Sequence, residues 1–159
     1  MMRVKESIRL YTIVMIQRDD EVLLMNRPDS KGFPGYIAPG GKIDFPENPA
    51  VGAIREVKEE TGLEVKSLIF KGISEFVNEK EAERYMVFNY LATKVEGQIL
   101  DNPPEGELTW VKREEATTLP MQSWFKHRFP YFFQEETFEI YRSWSGIEHE
   151  KAKEYIRES

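Results

Sequence analysis

The chain has 159 residues, 40% hydrophobic and 13% aromatic, enough for one sizeable core and short for two, so a single domain over 1–159 is expected. Its 28 acidic against 22 basic residues give a net charge of −6, which argues against a broad hold on nucleic acid and leaves free nucleotides as better phosphate-bearing partners. The absence of cysteine excludes a disulfide framework and a thiol nucleophile, and two distant histidines, His127 and His149, do not make a zinc site.

Residues 8–17 are rich in β-branched side chains, and Asp19-Asp20 marks a turn before 22–26, so the chain is expected to open with a hairpin. No signal-peptide core precedes it and no apolar run approaches membrane-spanning length, which makes the cytoplasm the expected compartment, with no membrane partner. Two prolines and two glycines around Phe33 predict an exposed loop over 27–35, followed by a short strand at 36–38. Pro39-Gly40-Gly41 reads as a turn, with 42–45 continuing briefly. Asn48 as cap, Pro49 in the first turn and Gly62 as left-handed stop predict a helix ending at Thr61. Strands are expected at 64–77 and 85–94 around a charged turn at 78–83, then a loop at 101–106 entering a strand at 108–112. A short helix at 113–118, an aromatic helical stretch at 120–133, a strand at 137–141 and a charged amphipathic helix or frayed end at 147–159 complete the chain. There is no internal repeat, low-complexity tract or linker, and nothing sets an oligomeric state. Periodicity alone gives a mixed α/β class.

The central helix carries the chemistry. Glu56, Glu59 and Glu60 are spaced i, i+3, i+4 and project from one face, where carboxylates repel one another unless a positive charge compensates. Three hard oxygen donors suit Mg²⁺ or Mn²⁺. Gly52 falls on the same face one turn earlier, where a side chain would obstruct a ligand. Val51, Ile54 and Val57, with Ala50, are expected to bury against a sheet on the opposite side. A competing reading makes Arg55, Glu56, Lys58, Glu59 and Glu60 a solvated face stitched by ion pairs, as most charge runs are. Glycines, Glu47 and Arg55 at fixed distances favour the metal site.

From Gly41 to Leu63 the sequence fits G-x5-E-x7-R-E-U-x-E-E-x-G-U, and the chain thereby resembles the Nudix family. The resemblance implies an α/β/α sandwich with a mixed β-sheet, and a metal-dependent hydrolase of phosphoanhydride bonds in nucleoside diphosphates linked to another group. It also implies Glu56, Glu59 and Glu60 as metal ligands, with the carbonyl of Gly40 as a neutral donor and a further acid, Glu105 or Glu107, from the later loop. Arg55 resembles the arginine that orients the glutamates by bidentate pairing, together with Glu47. Glu59, Glu60 or the loop glutamate would serve as general base. Lys42, Arg27, Phe33 and Trp124 are the candidates for holding substrate, the cations for phosphate and the aromatics for a stacked base, although aromatics of this region also serve packing.

Family members acting on ADP-ribose or dinucleoside polyphosphates tend to carry a proline or a tyrosine soon after the box, and this chain has neither at the expected distance. The order of Trp110, the stretch from Leu119 to Phe125, Phe129-Pro130 and a strand at 137–141 resembles instead the mutator-type diphosphatases of oxidised purine nucleotides. Two departures stand out: no paired acids occur around Gln122 to Phe125, and Ile37 occupies the place of an expected asparagine. The leading expectation is a Mg²⁺-dependent pyrophosphohydrolase of nucleoside triphosphates, oxidised dGTP first. Hydrolysis of nucleotide sugars or RNA 5′ ends is the alternative within the enzyme class, and a non-catalytic ligand-binding regulator is the alternative outside it. The intact box argues against the regulator.

Overall fold

β1 (Ser7–Arg18) and β2 (Glu21–Arg27) form the expected hairpin, paired at Gln17↔Val22 and Arg18↔Glu21 in a computed structural model that describes residues 5–146 and 153–158. Asp19 takes the left-handed conformation at its tip, one that Asp tolerates better than most residues. Both strands are apolar on both sides. Ile13 and Met15 with Val22 and Leu24 enter one core layer, while Val14, Ile16 and Leu23 enter the other. That two-residue alternation within a continuous apolar run is what a strand covered on both faces requires.

β1 runs parallel to β6 (Glu83–Glu96), β6 antiparallel to β5 (Glu64–Asn78), and β5 parallel to β8 (Phe138–Trp144). β2 carries β3 (Gly35–Ile37) and β7 (Glu107–Lys112), and β4 (Gly40–Lys42) lies antiparallel to β1. α1 (Pro49–Thr61) covers one face, packing Ala53 and Val57 on Val14, Ile16, Tyr90 and Ala92. α2 (Ser123–Arg128) and a 3₁₀ turn at Phe129–Phe133 cover the other through Phe125, Phe129 and Phe132. The result is a mixed sheet between helices, the α/β/α sandwich. Phe125 and Phe132 are fully buried, and truncating either to alanine would cost about 3–5 kcal/mol.

Four expectations are corrected. Gly40 and Gly41 lie in a strand, not a turn: a Cβ on Gly40 would stand 2.0 Å from the carbonyl oxygen of Thr12, so only glycine lets β4 approach β1 this closely. On α1, Val51 and Ile54 are exposed, and the buried stripe runs through Ala53, Val57 and Thr61. The reason is that Gly52 and Glu60 are also buried, so the acidic and apolar faces adjoin rather than oppose, and both turn towards the sheet. The stretch expected as one helix over 120–133 is broken into α2 and the 3₁₀ turn, where Pro130 has no N–H to continue an α-helical ladder. The short helix expected at 113–118 is present as a 3₁₀ helix, Arg113–Thr118. Finally, Lys153–Glu158 is a strand, β9, antiparallel to β8, where a charged amphipathic helix or a frayed end was expected. β8 would otherwise leave unpaired backbone groups along the sheet edge. The rest of the expected tail helix, 147–152 and 159, lies outside the described residues, His149 included.

Candidate active site

Local sequence fixes α1 at both ends. The Asn48 side chain accepts the Val51 N–H at 2.9 Å, Pro49 starts the helix, and Gly62 at φ 85° ends it while donating to the Lys58 carbonyl. The helix is thereby held with its glutamates over β4.

Arg55 is the hub of this surface. Its Nε donates to both carboxylate oxygens of Glu47 at 3.2 and 3.0 Å, and Nη2 to Glu47 Oε1 at 2.6 Å. Nη1 reaches Glu56 Oε1 at 3.0 Å and Glu59 Oε2 at 3.1 Å. Nη2 also donates to the Lys42 carbonyl at 3.0 Å and lies 3.3 Å from Asp44 Oδ2. The planar fork of arginine allows one cation to serve four acids in this way. Glu47 in turn accepts the Asp44 N–H at 2.7 Å. The Arg55 hydrogen bond, with this second one, holds the Glu47 carboxyl down at about 2, and Glu47 raises Arg55. Asp44 was not anticipated from the sequence; its place three residues before Glu47, beside the box, was the available signal.

Two box glycines make room for carboxylates. A Cβ on Gly41 would stand 2.5–2.7 Å from the Glu56 carboxyl group, and one on Gly52 would stand 3.0 Å from Glu47 Oε1. Glu60 is only 7% exposed and accepts the Gly40 N–H at 3.0 Å. Burial pushes its carboxyl up to about 8, opposed by the Gly40 hydrogen bond, with Glu56 and Glu105 raising it further and Arg27 lowering it. Burial also raises Glu56, against the pull of Arg55.

The later loop resolves into two different positions. Glu105 is electrostatically coupled to Glu60 and lies 3.9 Å from Arg27 Nη2. Glu107 is an exposed residue of β7 opposite Asn26. Gly106 between them, at φ 152°, would put a Cβ 2.3 Å from the Asn26 carbonyl, so a non-glycine residue would push the loop off β2. Arg27 donates to the Lys31 carbonyl at 2.8 Å and has a buried Nε without a hydrogen-bond partner. Lys42 is exposed on β4 beside the cluster, Phe33 is 66% exposed on the loop before β3, and Trp124 lines a separate cavity against α2.

As the side chains stand, no three carboxylates or histidines among the described residues are gathered as a ready set of metal ligands. Glu59 is turned to Arg55 and Glu60 to the Gly40 N–H. The donor chemistry nevertheless fits a hard divalent cation. Glu56 and Glu60 are desolvated, mutually repelling carboxylates with Glu105 nearby, and a cation would relieve the cost of ionising them.

A family model described as the NUDIX domain matches residues 8–132. An uncharacterized Nudix hydrolase of Bacillus subtilis, YvcI, is 33% identical over 113 residues, 69% of this chain and 70% of that protein. Mouse diphosphoinositol polyphosphate phosphohydrolase 3-alpha is 34% identical over 102 residues, 63% of this chain and 60% of that protein, so this match spans less than two thirds of it. The crystal structure of a mutator MutT protein from Bacillus halodurans superposes with a TM-score of 0.78 at 30% identity, covering 94% of this chain and 97% of that one. A MutT Nudix hydrolase from Burkholderia pseudomallei shares the fold, with a TM-score of 0.65 at 22% identity over 79% of this chain and 98% of that one. The chain belongs to the Nudix hydrolase family, enzymes that act on phosphoanhydride bonds and generally need a divalent metal.

Proposed function

We propose that this chain is a Mg²⁺- or Mn²⁺-dependent, cytoplasmic pyrophosphohydrolase that cleaves nucleoside triphosphates to the monophosphate and pyrophosphate, with oxidised dGTP as leading substrate. The observation carrying this reading is the buried Glu60 on the Gly40 N–H with the half-buried Glu105 beside Arg27, next to Glu56 and Glu59 on the Arg55 fork. The likeness to the Bacillus halodurans MutT protein over nearly the whole chain supports a MutT-type Nudix hydrolase.

Glu56, Glu59, Glu60 and Glu105, with the Gly40 carbonyl, would hold the metal. Bound there, a divalent ion neutralises phosphate charge and lowers the pKa of water, an effect worth several kcal/mol. Arg55 fixes the rotamers of Glu56 and Glu59 while Glu47 and Asp44 fix Arg55. Arg27, with its free Nε, and Lys42 contact the phosphates. The attacking water gives its proton to a carboxylate of the cluster. Glu60 and Glu105 are coupled to each other, whereas Glu59 must first leave Arg55 to take that role. Phe33 is left as the contact for the base, since Trp124 lines the separate cavity against α2. Stacking of that kind discriminates weakly, so preference for an oxidised edge rests on polar groups near Ile37 and Gln122, whose amide donates to the Pro34 carbonyl at 3.0 Å.

The test is hydrolysis of a panel of dGTP, 8-oxo-dGTP, other nucleoside triphosphates and nucleotide sugars with Mg²⁺, scoring pyrophosphate against orthophosphate. Monophosphate plus pyrophosphate is expected. Orthophosphate as the first product would overturn the proposed bond, and equal kcat/KM for dGTP and 8-oxo-dGTP would remove the preference for oxidised substrate.

A further inference from the structure

On the face of the sheet opposite α1, a cavity of about 310 Å³ is lined by Ser123, Trp124, His127 and Arg128 of α2, Arg142 of β8 and Glu154 of β9. Its charge is unusual. Arg128 is only 6% exposed, and its Nε is buried with no hydrogen-bond partner. Its guanidinium sits 5.2 Å from the Trp124 ring centroid. Arg142 Nε is likewise buried without a hydrogen bond, 3.4 Å from Glu154 Oε2 but off the donor direction. Glu154 is engaged by His127 Nε2 at 2.8 Å. One carboxylate therefore faces two guanidinium groups, and it is not the hydrogen-bond partner of either Nε.

A buried guanidinium Nε without a hydrogen bond costs free energy, which a ligand supplying an acceptor oxygen would recover. Burial and the neighbouring Arg142 hold Arg128 down at about 10, the direction expected of two cations awaiting an anion. Guanidinium forks match the oxygen spacing of phosphoryl and carboxylate groups. We propose that this cavity is an oxyanion site for a phosphorylated small molecule, with Arg128 and Arg142 donating to the phosphoryl oxygens and Trp124 walling the attached moiety. The site uses none of the glutamates of α1. The phosphoryl group belongs either to the far end of the hydrolysed substrate or to a separate ligand.

The experiment is calorimetric titration of the full chain with inorganic phosphate in EDTA, on wild type, Arg142→Gln and Arg128→Gln. Saturable binding is expected in wild type and at least about 10-fold weaker binding in each variant, the loss that follows removal of a charge-assisted hydrogen bond. Phosphate should also raise the wild-type Tm but not that of the variants. Should Arg128→Gln fail to fold, the partly exposed Arg142 position carries the comparison. Competition by a nucleoside monophosphate assigns the group to the substrate, and binding beside it assigns a separate ligand. No saturable binding up to about 20 mM, where a millimolar site is filled, or equal binding by wild type and Arg142→Gln, overturns the proposal.

Discussion

Two arginine centres lie on opposite faces of one sheet, and they are wired in opposite ways. Arg55 meets Glu47, Glu56, Glu59 and Asp44 at 2.6–3.3 Å, four acids on one cation. Arg128 and Arg142 share Glu154, and both leave a buried Nε unbonded. A saturated arginine organises other side chains and is itself a structural part; an unsaturated one retains binding capacity. The same residue type thus marks the framework of the acidic site and the interior of the cavity, and burial with a census of partners, not residue identity, separates the two roles.

The largest effect should come from the acids that Arg55 organises. Glu59→Gln and Glu60→Gln are expected to keep the fold and to cut kcat by at least about 10²-fold with Mg²⁺, the range for lost metal-assisted or general-base chemistry. Steady-state kinetics with circular dichroism as folding control measures this, and a folded Glu60→Gln enzyme with wild-type turnover would sink the assignment. Next, Arg55→Lys keeps the charge but loses the fork, and should lower kcat or metal affinity by about 10- to 100-fold, as loss of an orienting partner does. It should also lower Tm, because Glu47, Glu56 and Asp44 lose hydrogen-bonded or ion-pair contacts at once. If Arg55→Lys behaved like wild type in both measurements, the contrast between a committed and a poised arginine would collapse.

How much of this was legible in the chain depends on sequence distance. The caps of α1 are local, so Asn48, Pro49 and Gly62 announced the helix to the residue. The Arg55 pairings with Glu47, Glu56 and Glu59 lie within eight residues and follow from helical spacing and the box. Glu105 and Glu107 looked equivalent because what separates them, the approach to Arg27 and the ladder opposite Asn26, depends on β2 and β7 meeting. The buried stripe of α1 was misplaced for a related reason. Isolated periodicity assumes that carboxylates face water, whereas Glu60 is buried against Gly40. Nothing local could reveal the cavity, since Arg128, Arg142 and Glu154 come together only when β9 pairs with β8. Alternating charge in the last residues suits either a helix face or an edge strand, and the unpaired edge of β8 decided it.

A smaller and more selective effect is expected at the glycines that seat the carboxylates. Gly41→Ala would place its Cβ against the Glu56 carboxyl, the end of a side chain that can turn aside, so the fold should survive while kcat falls about 10-fold through misorientation. Gly40→Ala meets the backbone of Thr12 and Ile13 instead, which cannot yield without moving β1, and should lower Tm clearly. Measuring both variants by thermal melts and kinetics separates orientation from packing. Equal Tm losses would show that the two glycines serve the same structural purpose.

The smallest effect expected is a pH-dependence of stability, and its sign follows from Glu60. Its folded carboxyl is raised from the ordinary 4.5 to about 8, so between those values the folded state holds more protons than the unfolded chain. Stability of the metal-free protein must then fall as pH rises through this interval, because ionising Glu60 beside Glu56 and Glu105 is resisted by burial. Glu47 acts the other way, but in a different window. Its folded value of about 2 contributes stability that is fully present above 4.5 and lost as pH falls towards 2. Denaturant melts of the metal-free protein from pH 5 to 8 should therefore show a decline that Glu60→Gln abolishes, since the amide has no proton to lose. Adding millimolar Mg²⁺ should flatten the same slope, because an ion bound only by the folded, ionised cluster stabilises it by mass action and favours deprotonation. A slope of the same size in Glu60→Gln would place the titrating group elsewhere. A slope unmoved by Mg²⁺ would break the link between the desolvated glutamates and cation binding.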